Sequence, residues 1–382
     1  MNCTMGYYLS RQAALKWLES PSVYLIPKDE LFELDERAFR FLRDCAGDGG
    51  CSSKDTAFID YCLDEGLLTT ETVSVRRSPL SPAPAPSLRY LELQITDACN
   101  LRCKHCYSEP AGQHLSVEQI RSILKEFEEM QGLRVLVTGG EPLLHPRFEE
   151  INEMLPDFAL RRVLFTNGVL LKNGMLKRLK VHEIQVSIDG VGDSHDALRG
   201  AGNYERALNA VRQAQDAGFE VSVATMVHAA NLRDFDEMEL LFKEMDIREW
   251  TVDVPCDSGR MRENPELRIG AGAAGKYLGY GYGGGMHTTE EGHGCGVHLM
   301  AVLADGRAAK CTFYGDRTVG AVIEGLAACW KRIEPVRLET LSCDCEFVSV
   351  CRGGCRFRAE QSGSRTGKDP YRCALYGIMK EE

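Results

Sequence analysis

Thr96-Asp-Ala-Cys99-Asn-Leu-Arg-Cys103-Lys-His-Cys106-Tyr107 decides how the rest of the chain is read. Three residues and then two separate its cysteines. It follows directly on Tyr90-Leu-Glu-Leu-Gln-Ile95, which alternates like a strand and is rich in strand formers. A loop at the end of a strand is where a barrel of strands and helices keeps its chemistry. Three thiolates hold three corners of a four-iron cluster and leave one iron open to a chelating small molecule. A zinc site with His105 as its fourth ligand, or a set of buried thiols, are the competing readings.

Working outward, strand-like segments at 90–95, 134–138, 162–166, 183–189, 220–227 and 249–254 alternate with helical segments near 116–131, 146–155, 204–217 and 232–245. Ser116-Val-Glu-Gln119 is a capping box that opens the first of these helices. Six strands with interleaved helices predict an α/β fold with a parallel, barrel-like sheet. Arg134-Val-Leu-Val-Thr138 runs into Gly139-Gly-Glu-Pro142. Thr166-Asn-Gly168 and Ser187-Ile-Asp-Gly190 end two further strands and carry polar groups suited to a ribose or a carboxylate. Asn167 and Asp189 also suit tight turns unaided.

Cys99, Cys103 and Cys106 with Tyr107 beside the last cysteine, followed about 30 residues later by Gly139-Gly-Glu-Pro142, resemble the radical SAM superfamily. The resemblance implies an open six-stranded (β/α) barrel. It also implies S-adenosylmethionine (SAM) chelated to the open iron through its amino and carboxylate groups. Gly139, Gly140, Glu141 and Pro142 would contact the amino group, with Tyr107, Asn167 and Asp189 lining the cofactor. Ser187 and Arg199 match residues that touch the SAM ribose and carboxylate, and the arginine fork suits a carboxylate. Reductive cleavage to a 5′-deoxyadenosyl radical that abstracts a substrate hydrogen is the activity implied, with a flavodoxin or ferredoxin as reductant.

With 382 residues the chain is long enough for two or three domains, and its composition is that of an ordinary globular protein. It has no apolar run of 18 residues and no basic-then-apolar start, so neither a membrane span nor a secretion signal is expected. A net charge of −11 argues against nucleic acid as a main partner. Sixteen cysteines, ten of them at short metal-ligand spacings, indicate a reducing cytoplasm rather than a disulfide framework. The other six are Cys3, Cys45, Cys51, Cys62, Cys256 and Cys329, expected mostly as small buried hydrophobes.

Residues 1–77 form a first unit. Ser22-Val-Tyr-Leu-Ile-Pro27 and Glu30-Leu-Phe-Glu-Leu34 read as strands around the turn Lys28-Asp29. Asp35 caps a helix running to about Cys45, and a second helix spans roughly 54–64. The helix entry Glu33-Leu-Asp35, and Phe58-Ile-Asp-Tyr-Cys-Leu63 before Glu65-Gly66, resemble the PqqD-like, winged-helix-related recognition element of ribosomal peptide maturation. There a leader peptide adds as a strand to the sheet edge. A winged helix that merely packs, or that binds DNA, is the alternative. Residues 78–88, with four prolines in eight residues, form a semi-rigid linker. The barrel then covers 89–285.

Val254-Pro255-Cys256 ends the sixth strand and points Cys256 at the barrel mouth, as a hydrogen donor to a substrate radical, a cluster ligand or a buried thiol. The glycine-rich stretch 270–285, with Tyr277, Tyr280 and Tyr282, reads as an irregular, mobile connection near the substrate. Residues 286–382 contain Cys295, Cys311, Cys343, Cys345, Cys351, Cys355 and Cys373. The spacing Cys345-x5-Cys351-x3-Cys355 resembles a SPASM domain, which implies two auxiliary four-iron clusters and three clusters in all. By that pattern Cys295, Cys311 and Cys355 serve the first auxiliary cluster, and Cys343, Cys345, Cys351 and Cys373 the second. One spacing departs from the family, because Asp344 alone separates Cys343 from Cys345. One or two closed zinc sites are the competing reading.

The combined resemblance implies an enzyme that modifies a ribosomally made precursor peptide, through carbon–sulfur bond formation to a peptide cysteine. Epimerisation and carbon–carbon crosslinking are the alternative reactions. A peptide-binding chaperone with structural clusters is the alternative of a different class.

Overall fold

A computed structural model describes residues 6–283, 285–287 and 292–379; Cys3 lies outside the described residues. The chain opens with β1 (Tyr8–Leu9), β2 (Ala13–Trp17), β3 (Pro21–Leu25) and β4 (Glu30–Glu33), followed by α1 (Glu36–Cys45), α2 (Thr56–Glu65) and β5 (Leu68–Thr69). Strands β2, β3 and β4 form an antiparallel sheet, and β1 pairs with β5. Asp35 caps α1 by accepting from the Ala38 amide, and Gly66 ends α2 in the left-handed conformation. Leu9, Val23, Leu25, Leu42, Cys45, Cys62 and Leu68 close a core of their own. Strands β1, β2 and β5 carry too few residues, or too mixed a pattern, to stand out in the sequence.

A nine-stranded sheet follows. β6 (Tyr90–Thr96), β7 (Arg134–Gly139), β8 (Arg161–Thr166), β9 (Glu183–Ser187), β10 (Glu220–Met226) and β11 (Glu249–Asp253) run parallel and in sequence order. These are the six strands predicted, shifted at their ends by a residue or two. The crossovers carry α3 (Val117–Glu129), α4 (Phe148–Met154), α5 (Asn173–Leu176), α6 (Asp193–Arg199), α7 (Asn203–Asp216) and α8 (Phe235–Glu244). The capping box of α3 is present in full, and the helix buries Ile120, Ile123, Leu124 and Phe127, a one-sided helical spacing, against the sheet. Helices α5 and α6 are new relative to the sequence reading; each is a short turn of chain whose start lacks a side-chain cap.

The glycine-rich stretch differs from its expectation. It is packed, with α9 (Ala271–Gly275) at its start. Tyr282 exchanges both backbone hydrogen bonds with Trp250, at 2.8 and 3.0 Å. Tyr277 and Tyr280 pack their rings at a tilt against Phe235, so the tyrosines serve as an aromatic cover for the β11 edge. The glycines permit close packing, since a Cβ at Gly275 would stand 2.6 Å from the Ala374 backbone.

Beyond it, β12 (Leu299–Val302) pairs parallel with β6, and β13 (Arg307–Ala309) and β14 (Gly320–Ala321) extend the same sheet in antiparallel fashion. The helices α10 (Leu326–Lys331), α11 (Val348–Cys351), α12 (Arg356–Gln361) and α13 (Pro370–Leu375) complete the chain. The residue-286 boundary therefore falls beside strands that continue the central sheet. Among the described residues, no helix is long and apolar enough to cross a membrane.

The turn between β3 and β4 plugs the amino-terminal ends of the parallel strands. Asp29 accepts from Tyr24 and Arg134, and Arg161 and Arg248 each lie 3.9 Å from it. Arg161, fully buried, also pairs with Glu183 at 2.8 Å and with Glu220. Burial alone would raise the Asp29 pKa. The His287 hydrogen bond, the charges of Arg134 and Arg161 and the Tyr24 hydroxyl bring it down to about 2. Asp29→Asn leaves these arginines short of their buried counter-charge, so a loss of about 3–5 kcal/mol in denaturant unfolding is expected. The folded pKa lies below the ordinary 3.8. The carboxylate's contribution is therefore complete above about pH 4 and disappears as the pH falls toward 2, where wild type and variant should converge.

Candidate functional site

The cysteine loop leaves the carboxyl end of β6 and is held shut by a residue the sequence reading passed over. Asp97 accepts from the amides of Ala111 at 2.8 Å and Gln113 at 3.0 Å, and its own amide donates to the Gln113 carbonyl at 3.0 Å. An aspartate just after a strand and before a cysteine run was the available signal. Two further segments grip the loop. The Lys104 amide donates to Leu198 O of α6 at 2.9 Å. The Arg260 amide donates to Cys106 O at 3.0 Å, and its Nε to Cys103 O at 2.9 Å. Gly259, at φ +52, lies so near that a Cβ would stand 2.7 Å from Tyr107 Cα. Tyr107 packs its ring 5.2 Å from Phe313.

Gly139-Gly-Glu-Pro142 lies against the root of the loop. The Gly140 amide donates to Thr96 O and the Glu141 amide to Ala98 O, both at 2.8 Å. A Cβ on Gly140 would come within 3.0 Å of the Ala98 and Asp97 carbonyl oxygens, so this approach requires glycine. Glu141 is fully buried. It accepts from the Thr166 hydroxyl at 2.9 and 3.0 Å, the Asn167 amide at 2.9 Å and the Leu143 amide at 3.3 Å. Burial pushes its pKa up to about 7 against the pull of these hydrogen bonds. Pro142 opens the 3-10 turn that follows.

Asn167 reaches the loop directly, donating to Asn100 Oδ1 at 2.9 Å. Ser187 closes β9 at the same end of the sheet. Asp189 is fully buried, accepts from the Met226 amide at 2.7 Å, and pairs with Arg199 Nε. Burial would raise the Asp189 pKa, but the Arg199 charge holds it well below the carboxylate range. The Arg199 charge acts on Cys103 and Cys106. Burial raises the Cys103 thiol, and the Arg199 charge opposes that rise. The residues named from sequence for the cofactor thus gather at the carboxyl ends of the parallel strands, in the loops that leave them or, for Arg199, at the end of α6.

The C-terminal cysteines fall into two groups. Cys343, Cys345, Cys351 and Cys373 line one small cleft with Asp369 and Arg372. Cys295, Cys311 and Cys355 line a cavity of about 660 Å³, which Cys351 also reaches. Asp369, missed in the sequence, accepts from the Cys355 amide at 2.7 Å and from Arg358 at 2.9 Å, which ties α12 to α13. Of the leftover cysteines, Cys45, Cys62, Cys256 and Cys329 are buried and Cys51 is half-buried.

The loop's donors suit a multi-iron group. Among the described residues no three Cys, His, Asp or Glu side chains converge on one ion's position. A four-iron cluster takes one thiolate on each of its protein-bound irons, and the loop offers three cysteines for an iron apiece. His105 Nδ1, inside the loop, is buried without a hydrogen-bond partner.

Residues 93–242 match the radical SAM superfamily, so this part of the chain is a radical SAM domain, with the SAM and four-iron cluster that such a domain implies. Its relatives in sequence are the AdoMet-dependent heme synthase of Methanosarcina barkeri, 32% identical over 47% of this chain and 54% of that protein, and the mycofactocin maturase MftC of Mycobacterium tuberculosis, 32% identical over 40% of this chain and 41% of that one. The chain spans about half the length of the curated relatives it matches. In fold it is similar to Streptococcus suis SuiB bound to precursor peptide SuiA, with a TM-score of 0.68 over 95% of this chain and 98% of that one at 14% identity. It is also similar to anSMEcpe with bound AdoMet and a Cp18Cys peptide, with a TM-score of 0.58 over 76% of this chain and 94% of that one at 19% identity.

Gly140→Ala should force the turn off the loop, at an overpacking cost of about 1–3 kcal/mol. Roughly tenfold weaker SAM binding by equilibrium dialysis is expected. Gly174→Ala, with nothing within 4 Å of its Cβ, should change nothing.

Proposed function

We propose that the chain is a radical SAM maturase that modifies a ribosomally made precursor peptide, forming a thioether to a peptide cysteine. The observation that carries this reading is the gathering of seven C-terminal cysteines into two groups, beside the sheet whose strand ends hold the cysteine loop. On this reading residues 89–285 are a partial (β/α)6 barrel. Residues 286–382 are a SPASM domain, with Cys295, Cys311 and Cys355 on one auxiliary four-iron cluster and Cys343, Cys345, Cys351 and Cys373 on a second. Residues 1–77 are a PqqD-like leader-binding unit, joined by the 78–88 linker. The sequence relationship to a maturase and the fold shared with SuiB in its precursor complex support the choice.

SAM on the loop's cluster supplies a hydrogen-abstracting radical. The chain's own residues bind and orient. Cys99, Cys103 and Cys106 offer thiolates, and Arg199, steadied by Asp189, keeps a cation beside two of them. The Gly139–Pro142 turn, Asn167 and Ser187 would hold the cofactor's polar groups, with Tyr107 to one side.

The leader would add to β4. The outer edge of β2 is already used: Ala83 donates to Trp17 O at 2.8 Å, and Arg77 donates to Ala13 O at 2.9 Å. Among the described residues β4 pairs on one side only, and Phe32 packs there against the half-exposed Tyr61 of α2. Such an edge with an aromatic flank suits an extended peptide.

Anaerobic iron and sulfide analysis comes first. Roughly 12 irons per chain are expected, falling to about 8 in a Cys99/Cys103/Cys106→Ala variant. With reductant, SAM and a precursor peptide, the product should lose two hydrogens and one alkylatable thiol. An unchanged mass with deuterium uptake would indicate epimerisation instead. Absence of any 5′-deoxyadenosine would favour a peptide-binding chaperone. Phe32→Ala with Tyr61→Ala should weaken precursor binding at least tenfold, read by fluorescence anisotropy, while uncoupled 5′-deoxyadenosine formation persists.

A further inference from the structure

The seam between the N-terminal unit and the parallel sheet holds a cavity of about 610 Å³ that contains none of the cysteines. Its wall comes from β2 with Ile26 and Pro27, from the segment 75–80, and, on the sheet side, from the end of α3, the 156–159 turn and Arg162 of β8. Small-molecule sites run to about 300–1,000 Å³ and favour boundaries between units.

The wall combines two chemistries. Leu9, Leu15, Ile26, Leu80 and Phe158 supply apolar surface. Lys16, Arg43, Arg76, Arg77 and Arg162 supply positive charge, in a chain whose net charge is −11. Among the described residues the wall's carboxylates are Glu128 and Asp157, and both are engaged. Glu128 pairs with Arg76 at 3.0 Å and accepts from the Ala159 amide at 2.6 Å. Asp157 pairs with Arg121, outside the wall, at 3.1 Å.

The other cations are held by carbonyl oxygens. Lys16, 3% exposed, donates from Nζ to Gly132 O at 2.6 Å. Arg77 donates to Leu9 O at 2.6 Å and Ala13 O at 2.9 Å, and Arg162 Nε to Lys180 O at 2.7 Å. A carbonyl orients a cation without neutralising it. Burial pulls the Lys16 pKa down to about 8, with the Glu128 charge opposing. A recess lined by one sign of charge between low-dielectric walls concentrates ions of the other sign.

We propose that this cavity binds a small organic anion, a carboxylate or phosphate head on an apolar body. The head meets the Lys16, Arg43 and Arg162 cations, and the body meets the apolar wall. Such a ligand touches the N-terminal unit, the 75–80 segment and the sheet side together, so its occupancy strengthens the seat of the first on the last. The inference is independent of the reaction proposed for the cysteine sites.

The test uses the full, iron-loaded chain under anaerobic conditions, with octanoate, octyl phosphate and octylammonium as probes in titration calorimetry. One equivalent of an octyl anion should bind, and octylammonium should not; the tighter anion identifies the head as carboxylate or phosphate. Bound anion should also slow trypsin cleavage after Arg76 and Arg77, mapped by mass spectrometry. Lys16→Met should weaken binding roughly tenfold. Arg43→Glu, at an exposed helix end, should do the same and decides the matter if Lys16→Met fails to fold. Arg212→Glu, an exposed position of α7 outside the wall, changes net charge equally and should leave binding as it was. The proposal is overturned if neither anion binds at millimolar concentration, or if octylammonium binds as tightly. It is also overturned if Arg43→Glu has no more effect than Arg212→Glu, or if cleavage at the two arginines ignores the bound anion.

Discussion

Two backbone hydrogen bonds, from Gly140 to Thr96 O and from Glu141 to Ala98 O, carry the site. They join the ends of β6 and β7 at the point where the cysteine loop departs. The same turn delivers the Glu141 carboxylate to Thr166 and Asn167, which brings in β8, and Asn167 returns to the loop through Asn100. Three strand ends are thus closed into a ring around one buried carboxylate. Parallel strands make this possible, since every strand ends on the same side and adjacent ends lie within a turn's reach. The ring leaves no room for side chains at Gly139 and Gly140, so the glycines are a steric requirement of the fold as much as a feature of the cofactor site.

Much of this was legible in the sequence because it is local. The six parallel strands read as apolar or alternating runs, and Ser116 with Gln119 announced the start of α3. The cysteine spacing and the glycine pair marked the site. What was not legible is what depends on contact across the chain. Asp97 looks like any loop aspartate until its partners at Ala111 and Gln113 are known. Arg260 and Asp369 owe their importance to carbonyls and amides more than ten residues away or in another segment. Composition misled at 270–285, where glycine count suggested mobility. The tyrosines there have an aromatic surface to cover, and the glycines let the backbone approach it. Strands β12 to β14 hid for a different reason: they are two to four residues long and gain their identity only from the β6 edge they extend.

Charge is distributed unevenly between the two ends of the sheet. At the amino-terminal ends, Asp29, Glu183 and Glu220 share Arg134, Arg161 and Arg248 in a network that is buried around Asp29 and Arg161 and open to solvent at Glu220 and Arg248. Its carboxylates are shared among its guanidinium groups, which makes it a structural joint even with Arg134 Nε and Arg161 Nε left unpartnered. At the cysteine-bearing side His105 Nδ1, Lys310 Nζ and Arg356 Nη2 also lack partners. Unsatisfied buried polar groups are the exception in folded proteins. Those three lie in the cysteine loop or beside the C-terminal cysteines.

The docking of Asp29 also sets a length. It seats the N-terminal unit at the level of Tyr90, while Cys99 lies beyond the far end of the seven-residue strand that Tyr90 begins. At about 3.3 Å per residue that strand is roughly 20 Å long. Any polypeptide gripped by the N-terminal unit must therefore spend about six extended residues climbing past the sheet before one of them can reach the cysteine loop. Under the function proposed above, the seated turn would act as a ruler, setting the minimum spacer between the part of a peptide that is held and the part that is altered.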